Sequence, residues 1–89
     1  MEQNKRTFSE VAQEVATLWK QKYGKELPWS LTCAHPYLEA MLDCHTTDKN
    51  APYFAETIES VVLYFLANIT YWRGDDAKRI KAELKSMLK

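Results

Sequence analysis

An all-α fold, a compact four-helix domain, is what this sequence predicts, and three observations predict it. Apolar residues recur at steps of three and four, as in Phe8, Val11, Val15, Leu18, Trp19 and Tyr23, which is the period of one buried helical face. The 89 residues include only two glycines, and no Asn-Gly, Asp-Gly or Gly-Gly step stands where a tight hairpin would want one. The segment Tyr53 to Arg73 is apolar around more of its circumference than a one-faced helix requires. These features place helices at about 8–23, 36–45, 52–73 and 76–88, with the third at the centre.

The first helix starts at a capping box. Thr7 and Glu10 have the spacing at which hydroxyl and carboxylate satisfy each other's exposed backbone N–H groups, and Gly24 follows Tyr23 as a stop. Residues 1–6 are polar and expected to fray, which leaves 7–89 as a single helical domain. The connection from Lys25 to Ser30 contains Pro28, which disfavours helix at Leu27. Trp29 there has two readings: a lid over one end of the core, or an exposed anchor for a partner.

The second helix is harder to start. Leu31, Ala34, Leu38, Met41 and Leu42 fit one stripe, yet Pro36 lacks the donor that an interior position needs. The expected start is near Pro36, where proline is tolerated in the first turn, with a kinked helix from Leu31 as the alternative. Asp48 or Asn50 is then expected to cap a third helix that has Pro52 in its first turn.

Projected at about 100° per residue, that third helix divides into two sides. Phe54, Ile58, Val61, Val62, Phe65, Ile69 and Trp72 form the core face. Tyr53, Tyr64 and Tyr71 form a neighbouring stripe, either flanking the core or presented to a partner; tyrosine suits such surfaces because it joins a large apolar body to a polar tip. Arg73-Gly74-Asp75 spells an integrin-attachment sequence, but it also reads as Gly74 stopping one helix and Asp75 capping the next. Asn68-Ile69-Thr70, a glycosylation spelling, lies inside a predicted helix. Ala77, Ile80, Leu84, Met87 and Leu88 make the buried stripe of the last helix.

Length limits chemistry. A chain this short buries roughly 60–65% of the surface its unfolded form exposes, so a large catalytic cleft is hard to build. The net charge is zero, but its distribution is uneven. Residues 1–33 carry five basic and four acidic groups, 34–72 one and five, and 73–89 six and three. A basic end follows an acidic middle. Lys78, Arg79, Lys81, Lys85 and Lys89 are the candidate basic patch, and with it comes a nucleic-acid alternative. Asp75 and Asp76 oppose that alternative, because they would face phosphate at the start of the would-be recognition helix.

Cys33, His35, Cys44 and His45 are chemically competent zinc ligands, but Cys-x-His followed eight residues later by Cys-His is not a zinc-finger spacing. Catalysis by Cys and His would need a sequence neighbour to turn back onto the thiol and a third orienting group. Glu39 with Asp43 and Glu56 with Glu59 are helix-spaced carboxylates without the histidine companions of di-iron bundles. No catalytic residue, metal ligand or cofactor is therefore assigned.

The N-terminal residues lack the apolar run of a secretory signal. No stretch reaches the length of a membrane span, and two cysteines are expected as thiols in a reducing compartment. The expectation is a cytoplasmic, non-enzymatic interaction or regulatory module. Its partner would be another protein or a second copy of itself, met through Tyr53, Tyr64, Tyr71 and Trp29.

Overall fold

The computed structural model describes residues 6–89, so the fraying expected at 1–5 lies outside the described residues. The described residues form helices α1 (Phe8–Tyr23), α2 (Trp29–Thr32), α3 (His35–Leu42), α4 (Ile58–Ala67) and α5 (Asp75–Met87), with strands β1 (Pro52–Tyr53) and β2 (Glu56–Thr57) paired antiparallel. The chain is mostly helical, with five helices and a two-stranded sheet where four helices were expected.

α1 is where the sequence puts it. Thr7 Oγ1 accepts from the Glu10 N–H and Glu10 Oε1 from the Thr7 N–H, so both halves of the capping box are made. Its stripe of Phe8, Val11, Ala12, Val15 and Trp19 is buried. Ser9, also buried, donates to the Leu42 carbonyl at 2.7 Å, while the Ser9 N–H donates to the Cys44 carbonyl. These bonds fix α1 against the end of α3. The strongest helix packing runs from α5 to α1, α1 to α3 and α3 to α4. α3 therefore packs on both α1 and α4, and the centre of the fold is shared among these helices, not carried by one helix over 52–73.

The stretch from Trp29 to Leu42 settles into two short helices. Pro28 precedes α2, and Pro36 sits in the first turn of α3, where its missing N–H costs nothing. α3 stops at Leu42 and not at 45, because Asp43 and Cys44 turn back onto the carbonyls of Ala40 and Met41.

The expected helix over 52–73 is corrected at both ends. Asp48 does not cap it: its carboxylate and carbonyl accept from the N–H groups of Asn50 and Ala51, making a local turn. The chain then passes through the hairpin, with Tyr53 opposite Glu56 and Pro52 opposite Thr57. Phe54, at the first position of the two-residue loop, has φ +58°. The N-cap of α4 is Thr57, whose hydroxyl accepts from the Ser60 N–H. The N–H groups of Ile58 and Glu59 donate back to the carbonyls of Ala51 and Lys49. At the other end Asn68 closes α4, its side chain donating to the Tyr64 carbonyl at 2.7 Å, and a turn carries Ile69 and Trp72 back inside. The core face survives this interruption. Ile58, Val61, Val62, Phe65, Ile69 and Trp72 are all buried, and Phe54 alone of that set is exposed.

An aromatic cluster closes the centre, with Trp19 edge-on to Trp72 at 5.5 Å and tilted against Phe65 at 6.0 Å. Trp19 Nε1 is buried without a hydrogen-bond partner.

Between Trp72 and α5 the turn depends on Gly74. It is the N-cap of α5, at φ +115° and ψ 176°, so Asp75 is the first helical residue and not the cap. That backbone region is essentially closed to residues with a Cβ. Gly74→Ala is expected to cost about 1–3 kcal/mol by chemical denaturation, although a Cβ there would meet open space.

α5 is tied to α1 by charge. Glu14 receives Arg6 and Arg79, Arg6 also forks onto Glu83, and Arg79 reaches Asp76. Arg6 is thus anchored, although it belongs to the segment expected to fray. The Arg79 guanidinium first, and Arg6 with it, hold the Glu14 carboxyl below its ordinary value of 4.5. A depressed carboxyl contributes stability that is present above its unfolded value and lost as pH falls through its folded one. Glu14→Gln should therefore cost about 1 kcal/mol near neutral pH, the modest figure reflecting partly solvated pairs. The difference from wild type should vanish on acidification well below pH 4.5, a result read from denaturation midpoints across pH.

Candidate functional site

The hairpin, α3 and α4 enclose an open cleft of about 390 Å³. Its floor and walls come from Pro36, Tyr37 and Ala40 on α3, Tyr53 to Glu56 on the hairpin, and Val61 on α4. Each element presents its residues for a local reason. Tyr37 and Ala40 lie three apart, one turn of α3, so they share a face. On α4, Tyr64 follows Val61 by the same step, and its ring packs against Tyr37 with centroids 5.5 Å apart at 32°. Tyr53 and Phe54 meet edge to face at 4.7 Å across the start of the hairpin loop.

Phe54 is the most exposed of the large apolar side chains, at 90%. It also occupies a left-handed backbone conformation that costs a residue with a Cβ about 1–2 kcal/mol. Positive φ at the first loop position alone is the type II′ pattern, where glycine is the ordinary choice. A strained, solvent-facing phenylalanine is poor for folding, and so it directs attention to a role outside folding.

The charge around the cleft is negative. Glu56 lines it. The Tyr53 hydroxyl is held above its ordinary range, first by burial and then by the charge of Asp43, with Cys44 contributing. Lys49, on the loop that leads to the hairpin, is engaged with Glu59 at 3.5 Å.

The residues expected to form a tyrosine stripe are separated by the broken helix. Tyr53 lines the cleft beside Phe54, and Tyr64 stands outside the lining with its ring packed on Tyr37. Tyr71 lies in the turn after α4, 72% exposed, and does not line the cleft. Trp29 is 85% exposed, which overturns its reading as a lid. In α2 residues 29 and 31 point about 200° apart, and Leu31 takes the buried side, so Trp29 faces outward. Tyr37 and Phe54 are the cleft residues that pattern reading misses. Thr57, a threonine with serine three residues on, is the signal that would have ended the hairpin and started the helix in the right place.

The basic patch is partly engaged. Arg79 is committed to Glu14 and Asp76, and Lys81 donates to the Trp72 carbonyl at 2.7 Å. Burial first, then Arg73 and Lys85, lower the pKa of Lys81. Lys78, Lys85 and Lys89 are exposed. A second, more polar cleft of about 290 Å³ lies at the start of α5, bounded by Leu18, Lys22, Trp72 and the Arg73–Asp76 turn.

The cysteine and histidine quartet does not converge on a metal-binding arrangement. Among the described residues no three His, Cys, Asp or Glu side chains gather in such geometry. Cys33 is exposed, whereas Cys44 is buried and donates to the Ala40 carbonyl at 3.3 Å. Burial first, and Asp43 after it, push the Cys44 thiol up, away from the thiolate that nucleophilic chemistry needs. His35 faces Glu39 on the surface of α3 at 3.8 Å. Among the described residues, no helix is long and apolar enough to cross a membrane. No family model matches the chain, and no curated protein or solved structure is similar to it.

Proposed function

We propose that the chain is a non-enzymatic protein-interaction module of the cytoplasm whose contact face is the aromatic cleft between α3, the hairpin and α4. The observation that carries this reading is Phe54, held at φ +58° and 90% exposed beside Tyr53. Folding alone would favour glycine or asparagine there. Tyr37, Tyr53 and Tyr64 supply the kind of area that recognition surfaces use, large rings of low side-chain entropy with a hydroxyl at the tip. The raised thiol of buried Cys44 speaks against a nucleophilic role for that residue. The nucleic-acid alternative on α5 is weakened by its own contacts, because Arg79 and Lys81 are directed at Glu14, Asp76 and Trp72.

Site-specific photo-cross-linking tests the reading. A benzophenone side chain replacing Phe54 should give discrete adducts in cells, while the same group at exposed Thr17 on α1 should not. Equal labelling from both positions would argue against a dedicated face at the hairpin.

A further inference from the structure

The chemistry of the cleft limits what it can hold. Every residue that lines it comes from positions 36–61. Within 34–72 there are five carboxylates and a single basic residue, Lys49, which is paired with Glu59. Its interior is aromatic, and rings present negative faces that attract cations. The Glu56 carboxylate and the ring faces therefore favour the same sign of guest. An incoming acid would meet Glu56, and nucleic acid and anionic lipid surfaces would meet the same repulsion. The volume, about 390 Å³, sits near the lower end of the roughly 300–1,000 Å³ of small binding clefts, suited to a few side chains of an extended segment.

We propose, resting on the interaction reading above, that the cleft takes a cationic, apolar peptide segment of another protein. A Lys or Arg side chain lies over the Tyr37, Tyr53 and Phe54 rings with its charge toward Glu56, and neighbouring aliphatic or prolyl groups contact Val61 and Ala40. The aromatic stem contact fixes the chain, and the carboxylate selects the charge.

A random peptide library displayed on phage and panned against the whole chain tests this. The expected enrichment is Lys or Arg flanked by aliphatic, aromatic or prolyl residues. Binding of the enriched peptides should fall by about tenfold or more in Phe54→Asn, as expected for an aromatic anchor, and a Glu56→Lys variant should lose the preference for basic peptides. Circular dichroism and denaturation midpoints confirm that each variant is folded. Enrichment of neutral or acidic peptides that still need Phe54 would overturn the cation preference and leave the interaction reading standing. No enrichment, or peptides that bind a Tyr53→Ser, Phe54→Asn double variant equally well, would overturn both. Self-association by sedimentation equilibrium that is lost in that double variant would assign the cleft to a second copy and overturn the proposal.

Discussion

Phe65→Ala should remove about 3–5 kcal/mol of folding stability. Phe65 is fully buried on α4, with its ring 6.0 Å from Trp19, which in turn meets Trp72. It is therefore shared by three parts of the chain that are distant in sequence: α1, α4 and the turn before α5. Truncation removes the transfer energy of a benzyl group and leaves a void that two indoles cannot readily fill, since rigid rings relax little. A domain of this length has a total of roughly 4–13 kcal/mol to lose, so the substitution removes a large share of it. Urea denaturation at low temperature would read the shift in midpoint. A loss under about 1 kcal/mol would mean that the cluster is not the centre of the core.

Phe54→Asn should leave folding nearly unchanged. Asparagine tolerates the left-handed conformation, so relief of about 1–2 kcal/mol of backbone strain is set against the loss of about 0.5–1.5 kcal/mol from the edge-to-face contact with Tyr53. The net expectation lies between a loss of about 0.5 and a gain of about 1.5 kcal/mol. Partner binding, in contrast, should drop about tenfold or more. Stability measured by denaturation and binding measured on the same preparation would separate the two roles. A destabilisation above about 1 kcal/mol would identify Phe54 as a packing residue and remove the main reason for assigning the cleft a function.

Much of the fold was legible because its signals are local. The Thr7–Glu10 box and the three-and-four stripe place α1 without any knowledge of its neighbours, and the core face from Ile58 to Trp72 survives even where the helix that was meant to carry it is broken. The hairpin was not legible, since its loop is Phe54-Ala55 and no glycine or asparagine marks the positive φ. Phe54 fits an apolar helical period by spacing alone, so a residue that faces solvent was read as core. The cleft was half legible. Tyr53 and Tyr64 stood out by periodicity, but Tyr37 joins them only through a contact between α3 and α4 that separates the rings by 27 positions in sequence. Trp29 turned outward for a reason visible only once the short α2 is in place: its neighbour Leu31 competes for the same core and wins.

Amide chemical-shift mapping during titration with the strongest basic peptide from the display selection tests the central claim most directly. The largest shifts are predicted at Tyr37, Ala40, Tyr53 to Glu56, Val61 and Tyr64, with residues of α5 and the surroundings of Trp29 unmoved. Shifts concentrated on α5 or around Trp29, with the hairpin silent, would contradict the assignment of the aromatic cleft as the contact face.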